Sequence, residues 1–317
     1  MKILLPAHML ETLRDPVSQI APGCTLVPVH PAEVPSADLS DAEVLFLPWG
    51  FDHSSLEPLL ARLPRLRWVH TISAGADHIL LPALAAPNVV LTNARGVFSV
   101  PIAETVLAYM LAVVKRLPEF LRQQQAHRWH KLELRELDGL TVGIVGLGDI
   151  GREVARRCRA LGMRVLGLRR DAGPDTDADE VLPPARLHDL LARADFVVIA
   201  LPLTPQTRGL IDQAALAAMK PDAWLINISR GAVIEEAALI AALREGRIGG
   251  ACLDVFAEEP LPAENPLWDL PNVIITPHNS WSSPRLEARQ VSLFLENLRR
   301  YVAGEPLLNV VDPEAGY

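Results

Sequence analysis

The sequence has few cysteines and no excess of positive charge. Only three of its 317 residues are cysteine, at positions 24, 158 and 252, and none forms a CxxC pair. This argues against a disulfide framework and against a thiolate zinc site, and we predict no bound metal. The formal net charge of -8, without a run of Lys and Arg, also argues against a nucleic-acid partner.

Long hydrophobic runs are missing as well. The N-terminal MKILLPAHML contains a short apolar run, which Pro6, His8 and Glu11 interrupt. A signal-peptide core or a membrane span needs a longer uninterrupted run. We therefore expect this segment to form a buried strand in a cytoplasmic protein with no membrane partner.

What the chain does contain is a regular alternation of short apolar runs with segments of helical pattern. Half of its residues are hydrophobic, so a sizeable core in two ordinary domains is within reach. The first series of apolar runs is KILLPA, EVLFLPW, RWVHTISAG and NVVLTNARG; the second is TVGIV, RVLGLRR, DFVVIALPL, AWLINISRG, GGACLDVF and NVIITPH. The pattern predicts an α/β fold with two successive units, each built on a parallel sheet.

One segment between the two series is apolar on most of its helical circumference. It is PIAETVLAYMLAVVKRLPEFLRQQQ from Pro101, with proline at the start of the predicted helix. Such a helix must be buried, either within the chain or at a subunit interface. The residues alone leave both alternatives open.

The glycine-rich stretch GLGDIG follows the apolar run TVGIV directly and opens a helical segment. In this setting the glycines allow a tight turn and a close approach of the backbone to a pyrophosphate, although an ordinary strand-helix turn is the alternative. The predicted cofactor-binding residues of this loop are Gly146, Leu147, Gly148, Asp149, Ile150 and Gly151.

Two arginines stand where a dinucleotide-binding protein usually has an acidic residue. Arg169 and Arg170 end the next predicted strand, about 20 residues beyond the glycine loop, where the adenosine ribose is expected. Their guanidinium groups suit the 2'-phosphate of NADP, so NADP is favoured over NAD. The alternatives are that both side chains face solvent, or that Asp171 accepts from the ribose.

Polar side chains also follow three later predicted strands, at Arg230, Asp254 with Glu259, and His278. The crevice of an open α/β sheet lies at such strand ends. Arginine suits a bound carboxylate, histidine suits proton donation, and a neighbouring glutamate favours the imidazolium. Taken singly, each residue also has an ordinary structural explanation, and the sequence does not show that they touch.

From LTVGIVGLGDIG through LPLTPQTRGLI, MKPDAWLINISRGAVIEEAALIAAL, GACLDVFAEEPLPAENPLW and NVIITPHNS, the chain resembles the D-isomer-specific 2-hydroxyacid dehydrogenase family. Weaker similarities occur in ISAGADHIL, in ETVLAYML, at Trp129 and in NVVDPEAGY. Together with the arginine pair, the last two features are most similar to the glyoxylate and hydroxypyruvate reductases of the family.

The resemblance implies roles for individual residues. Arg230 matches the arginine that grips the 2-oxo acid, His278 the proton donor, and Glu259 the acid that pairs with it. Asp254 matches an aspartate near the nicotinamide carboxamide. The backbone of Ser73, Ala74 and Gly75 matches the segment that binds the substrate carboxylate. Leu201, Pro202 and Thr207 are expected to line the adenosine side of the cofactor. Ile228 and Ser229 are further cofactor-binding candidates.

Two tryptophans mark points that the family pattern leaves open. Trp281 stands in NSW, where many members carry a small glycine-containing run after the histidine, and Trp49 lies in FLPWGF. Either ring narrows the substrate pocket or simply packs in the protein. We count Trp49 among the candidate substrate-binding residues.

The resemblance also implies an architecture. We expect two Rossmann-like parallel-sheet domains, one flavodoxin-like and one dinucleotide-binding, with a cleft between them. Residues 1–99 plus 284–317 are expected to form the discontinuous substrate-binding domain, and residues 100–283 the dinucleotide-binding domain. A homodimer through the long helix, at residues 103–114, is expected as well.

The sequence thus predicts an NADP-preferring reductase that converts small 2-oxo acids such as glyoxylate or hydroxypyruvate to D-2-hydroxy acids. One alternative is an NAD-dependent dehydrogenase acting on a larger hydroxy acid. The other is a non-catalytic protein that senses nicotinamide nucleotides.

Overall fold

The structure is a computed structural model that describes residues 1–33, 35–75, 79, 81–171 and 173–312. Parts of two segments used above, ISAGADHIL at 72–80 and NVVDPEAGY at 309–317, lie outside the described residues. The chain divides into two compact units, one of Met1–Phe98 with Ser283–Tyr317 and one of Ser99–Ser282.

Helices and strands alternate along the described chain. In order they are β1 Lys2–Pro6, α1 Leu10–Ile20, β2 Thr25–Val29, β3 Ala42–Leu47, α2 His53–Leu60, β4 Trp68–Thr71, β5 Val90–Thr92, α3 Ser99–Val114, α4 Leu117–Gln125, β6 Thr141–Val145, α5 Asp149–Ala160, β7 Arg164–Leu168, β8 Glu180–Leu182, α6 Leu187–Arg193, β9 Phe196–Ile199, α7 Gln213–Ala218, β10 Trp224–Asn227, α8 Glu236–Arg244, β11 Gly250–Leu253, β12 Val273–Ile275 and α9 Leu286–Ala303. Short 3-10 turns occur at Ala7–Met9, Pro82–Ala85, Pro184–Arg186, Gly231–Val233 and Pro266–Asp269.

The first unit contains a parallel sheet whose described strands have the order β2-β1-β3-β4-β5. This is the flavodoxin-like order. Alternate side chains of the strands enter two core layers: Ile3 and Leu5 pack with residues of α1 and α9, whereas Leu4 packs with residues of α2. The sheet is therefore buried on both faces, as its apolar runs predict.

The second unit contains a parallel sheet with the order β12-β11-β10-β9-β6-β7-β8 among its described strands. From β6 the strands β7 and β8 are added on one side, and β9 to β12 are added on the other. Dinucleotide-binding folds have such a reversal of strand order next to the ligand crevice. Helices α6, α7 and α8 supply core residues to one face of the sheet. The expected fold class, two parallel-sheet α/β domains, is confirmed.

The long apolar segment from Pro101 is two helices, so the prediction of a single helix is wrong. Helix α3 ends at Val114, and α4 begins at Leu117 with Pro118 in its first turn. Between them Arg116 adopts a left-handed conformation with φ of 50°. Pro118 has no N–H to donate to the carbonyl oxygen of Val114, four residues earlier, and its ring would clash with that carbonyl group, so the first helix cannot continue past Val114.

Candidate active site

The predicted site residues of the second unit lie beyond the carboxyl ends of its strands. The glycine loop follows β6, Arg169 follows β7, and Arg230 follows β10. Asp254 follows β11 and His278 lies just after β12. All these strands are parallel, so the residues share one edge of the sheet. This is the edge at which open α/β sheets bind ligands.

The glycine loop is packed tightly at two of its glycines and open at the third. An ideal Cβ on Gly146, whose φ is 109°, would lie 2.5 Å from the Ala200 carbonyl oxygen. A Cβ on Gly151 would lie 2.1 Å from the Gly146 carbonyl oxygen. A Cβ on Gly148, by contrast, would meet no heavy atom within 4 Å. The open space lies at the N-terminus of α5, where N–H groups and the helix dipole favour an anion, so the loop fits a dinucleotide pyrophosphate.

Arg169 is held within the loop that follows β7. Its Nη1 lies 2.7 Å from Asp175 Oδ2, and its other nitrogens donate to the carbonyl oxygens of Asp171 and Gly173. Arg170 is exposed. The sequence did not predict the ion pair between Arg169 and Asp175, because that pair depends on the fold of the loop. That the two arginines face a 2'-phosphate stays a prediction.

His278 and Glu259 form a direct pair. The distance from His278 Nδ1 to Glu259 Oε2 is 2.7 Å, and Glu259 Oε1 accepts from the Phe256 N–H at 3.0 Å. The bond from the Phe256 N–H fixes the Glu259 carboxylate through Oε1, and Oε2 of the same carboxylate holds the His278 ring. With Nδ1–H donated to Glu259, the Nε2 atom is the ring nitrogen left for proton transfer.

The backbone of His278 is also fixed. Its N–H donates to the Asp254 carbonyl oxygen at 2.8 Å, and its own carbonyl oxygen accepts from Trp281 Nε1 at 2.8 Å. These bonds hold a non-glycine residue at φ of 50°, in the left-handed region. Trp281 therefore positions the histidine loop through its indole N–H. Whether its ring also narrows the substrate pocket stays a prediction.

Asp254 organises the same loop through its side chain. The residue is fully buried, and its carboxylate accepts from the N–H groups of Asn279 at 3.0 Å and Ser280 at 3.1 Å. The Thr276 hydroxyl also donates to it. In the described structure its oxygens thus bind the protein's own donors. Its expected place beside a nicotinamide carboxamide stays a prediction.

Tyr109 of α3 continues this chain of hydrogen bonds. Its hydroxyl is bonded to Thr276 Oγ1. Because the single hydroxyl hydrogen of Thr276 goes to Asp254, Tyr109 must be the donor in its bond to Thr276. Burial raises the pKa of Tyr109, so the hydroxyl keeps its hydrogen at neutral pH. Sequence reasoning assigned no role to Tyr109 or Thr276, although both lie in segments that resemble the family, ETVLAYML and NVIITPHNS.

Arg230 lies in a turn shaped by the buried Asn227. The Asn227 side-chain amide donates to the Arg230 carbonyl oxygen at 3.0 Å, and Asn227 Oδ1 accepts from the Ser229 N–H and hydroxyl. Arg230 Nη1 donates to the Ser229 carbonyl oxygen at 2.9 Å. Ile228 and Ser229 are themselves buried, whereas Arg230 is half-buried. The turn thus sets the direction in which the guanidinium leaves the strand.

The residues expected beside the adenosine form a small turn after β9. Thr207 Oγ1 donates to the Pro202 carbonyl oxygen at 2.7 Å and accepts from the Thr204 N–H at 2.8 Å. Leu201 is half-buried and lies against the Gly146 position of the glycine loop. The turn therefore stands next to the loop that fits the pyrophosphate.

In the first unit, the loop Ser73, Ala74 and Gly75 follows β4 and is held by side chains around it. The Asn93 amide donates to the Ala74 carbonyl oxygen at 2.8 Å, and the Ser73 hydroxyl donates to the Gly75 carbonyl oxygen at 2.7 Å. Trp49, just beyond β3, is 45% exposed and stands edge-on to Phe98. Neither observation tests a role in substrate binding.

Comparison with known proteins identifies the chain's relatives. The family described as D-isomer specific 2-hydroxyacid dehydrogenase, NAD binding domain, matches residues 107–280. The chain belongs to this family. Within it, glyoxylate/hydroxypyruvate reductase B of Pectobacterium carotovorum subsp. carotovorum (strain PC1) is 40% identical over 261 residues, which cover 80% of this chain and 82% of that protein.

Other relatives include a longer protein and two structures solved with NADPH or NADP. D-3-phosphoglycerate dehydrogenase of Methanocaldococcus jannaschii is 32% identical over 280 residues, and the match covers 86% of this chain but only 52% of that longer protein. A D-isomer specific 2-hydroxyacid dehydrogenase from Xanthobacter autotrophicus Py2, solved with NADPH and MES, has a TM-score of 0.86 and 34% identity over 100% of this chain and 99% of that chain. An NADPH-dependent glyoxylate/hydroxypyruvate reductase from Sinorhizobium meliloti, solved with NADP and sulfate, has a TM-score of 0.85 and 32% identity, again over 100% and 99%.

Membership in this oxidoreductase family accounts for the fold, the glycine loop and the order of motifs. In the described residues no group of three or more His, Cys, Asp or Glu side chains is arranged to hold a metal ion. Among the helices of the same residues, none is long and apolar enough to cross a membrane.

Proposed function

We propose that the protein is an NADP-preferring reductase that converts small 2-oxo acids, such as glyoxylate or hydroxypyruvate, to D-2-hydroxy acids. The observation that carries the proposal is the pair of His278 and Glu259, whose Nδ1 and Oε2 atoms are 2.7 Å apart. The histidine follows β12 and lies at the same edge of the sheet as the glycine loop. Relatives named as glyoxylate or hydroxypyruvate reductases, and related structures solved with NADPH, support the same assignment.

The chain's own residues supply acid catalysis and orientation. Glu259 holds His278 Nδ1, which leaves Nε2 to donate a proton to the substrate carbonyl oxygen as negative charge develops there. Arg230 holds the substrate carboxylate with its guanidinium fork, so that the carbonyl keeps one orientation. The bound cofactor supplies the hydride to the carbonyl carbon. We assign the D-configuration to the product because the family is D-isomer specific.

The strand order supports a place for the cofactor in the second unit. The open space at Gly148 receives the pyrophosphate, and Arg169 with Arg170 receives the 2'-phosphate of the adenosine ribose. The turn with Thr207 borders the adenosine. We accordingly assign dinucleotide binding to the second unit and, through Ser73–Gly75, substrate binding to the first.

We propose a homodimer formed through α3, α4 and the segment that follows. Single exposed apolar residues are ordinary, but a concentration of them marks an interaction surface. Five large apolar side chains between positions 111 and 134 are at least 39% exposed: Leu111, Leu117, Leu121, Trp129 and Leu134. Sedimentation velocity at micromolar concentration tests this proposal, and a single monomeric species contradicts it.

Cytoplasmic location is proposed on the state of the thiols. Cys24, Cys158 and Cys252 are free, and burial raises the pKa of Cys158 to about 12, so that thiol is unreactive. Three unpaired thiols suit a reducing compartment. Fractionation of the producing cells tests the assignment, and recovery from a secreted fraction contradicts it.

Initial rates test the proposed activity. Glyoxylate, hydroxypyruvate and a bulkier phenyl-substituted 2-oxo acid are each assayed with NADPH and with NADH. We expect turnover of the small acids with a preference for NADPH, and His278→Ala should lower kcat far more than it weakens cofactor binding. Binding of NADPH without turnover of any of these acids contradicts catalysis, whereas a preference for NADH with the bulky acid contradicts the cofactor and substrate assignments.

A further inference from the structure

One loop of the second unit contains an ion cluster that neither the motifs nor the catalytic pair explains. Asp175 Oδ2 lies 2.7 Å from Arg169 Nη1 and 3.0 Å from Arg152 Nη2. Arg169 comes from the end of β7, and Arg152 from the first turns of α5, directly after the glycine loop. Two guanidinium groups from the two elements that border the expected adenosine ribose therefore converge on one anionic oxygen.

The carboxylate in this cluster is built in rather than adventitious. The Asp175 side chain is only 4% exposed, and its second oxygen, Oδ1, accepts from the Asp177 N–H at 3.0 Å. Burial by itself would raise the pKa of Asp175, but the Asp177 N–H and the two guanidinium groups outweigh it and lower the pKa. The group is therefore an anion at neutral pH.

We propose that Asp175 is a specificity-determining residue that occupies Arg169 and Arg152 in place of the 2'-phosphate of NADP and so limits the preference for NADP over NAD. The inference rests on the proposed function, because it takes the ribose to lie at the end of β7. It also adds Arg152 to the groups available to that phosphate.

The competition follows from charge and from hydrogen-bonding capacity. Arg169 uses Nη1 for Asp175 and Nη2 for the Gly173 carbonyl oxygen, so its fork is engaged by the loop. A phosphate monoester carries close to two negative charges at neutral pH and is repelled by a carboxylate on the same guanidinium. A ligand with this phosphate must displace Asp175, whereas a ligand with a free 2'-hydroxyl leaves the cluster intact.

Binding of two small ligands isolates this effect from catalysis. The probes are 2',5'-ADP and 5'-AMP, which differ by the 2'-phosphate, and their dissociation constants are measured by titration calorimetry. In Asp175→Asn we expect 2',5'-ADP to bind about tenfold more tightly, the scale of one charge-assisted hydrogen bond, with 5'-AMP changed less than about twofold.

A matched variant controls for loop charge. Asp177→Asn removes the same charge from the same loop but keeps the backbone N–H that supports Asp175. We expect it to change the affinity for either probe less than about threefold, because Asp177 is only half-buried and a charge in contact with water acts weakly on its neighbours. If Asp175→Asn does not fold, the smaller Asp175→Ser takes its place, with thermal unfolding as the check.

Each result decides the matter. Tighter binding of 2',5'-ADP in Asp175→Asn, confined to that probe, supports the proposal. Unchanged or weaker binding overturns it and makes Asp175 a residue that orients Arg169 for the phosphate. Because the assay needs no turnover, absence of reductase activity refutes the proposed function without altering this result.

Discussion

Gly148 caps the N-terminus of α5 and Gly151 lies in its first turn, and we expect their replacement by alanine to have different consequences. The Gly148 backbone has φ of -87°, which alanine adopts without strain, and a Cβ there meets no atom within 4 Å. Restricting the unfolded chain stabilises by about 0.4–1 kcal/mol, and alanine at a helix N-cap costs a similar amount. The free energy of unfolding of Gly148→Ala should therefore stay within about 1 kcal/mol of wild type.

Nucleotide affinity in Gly148→Ala should fall because the added methyl group fills the space assigned to the pyrophosphate. Forcing one methyl group into a close contact costs about 1–3 kcal/mol, which corresponds to about 5- to 150-fold weaker binding of NADPH. Gly151→Ala should instead lower stability, since its Cβ would lie 2.1 Å from the Gly146 carbonyl oxygen. The loop must open by about 1 Å there, at about 1–3 kcal/mol or more.

Two measurements separate the variants. Urea unfolding gives the stability of each, and quenching of tryptophan fluorescence gives its dissociation constant for NADPH. Gly148→Ala that is as stable as wild type but binds weakly agrees with the reasoning. Wild-type affinity in Gly148→Ala would refute it, because the open space would then not be where the pyrophosphate lies.

Three further predictions concern other contacts. Glu259→Gln should lower kcat about 10- to 100-fold in steady-state assays, because His278 loses the anion that holds its ring. The affinity for NADPH should stay unchanged. Tyr109→Phe should lower kcat by up to about tenfold, since one hydrogen bond to Thr276 contributes about 0.5–1.5 kcal/mol to the position of the histidine loop. Burial lowers the pKa of His70 to about 3, so below pH 6.5 the unfolded state binds a proton that the native state excludes, and stability should fall as pH drops from 6.5 towards 3. Between pH 7 and 5 this loss should be about 2 kcal/mol smaller in His70→Asn, measured by urea unfolding.

Controls accompany these experiments. Glu258→Gln removes a charge beside Glu259 without touching the histidine, so a fall in its kcat equal to that of Glu259→Gln would argue against the pair. For Tyr109, a fall in stability with kcat intact would leave the hydroxyl a purely structural role. For His70, equal losses of stability in wild type and His70→Asn would place the acid sensitivity elsewhere.

Much of the fold was predictable because buried parallel strands leave a strong local signal. The strands missed by the apolar runs were β2 and β8, and each lies at an edge of its sheet. Edge position alone does not explain this, because the edge strands β5 and β12 lie within the apolar runs NVVLTNARG and NVIITPH. The strand TLVPV is interrupted by the exposed Pro28, and EVL is only three residues long, so neither stands out as an apolar run. The break between α3 and α4 was signalled by Pro118, but apolar periodicity on both sides concealed it.

The catalytic candidates were predictable as positions but not as contacts. Motif order placed Arg230, Glu259 and His278 near strand ends, and the strand order brings those ends to one edge of a sheet. That His278 is fixed by Trp281 and by Asp254 could not be inferred, because a hydrogen bond depends on loop conformation to within a fraction of an ångström.

The sequence by itself determined the alternating α/β architecture, the glycine loop and the residue types available for chemistry, since these depend on neighbours along the chain. Tertiary structure alone decided which groups meet across the chain. Tyr109 reaches Thr276 over 167 residues, and Arg152 of α5 meets Asp175 in a loop after the next strand. Such contacts form only when separate elements pack, so they cannot be predicted from neighbouring residues along the chain. In our proposal, the contacts of Asp175 also affect the preference between NADP and NAD.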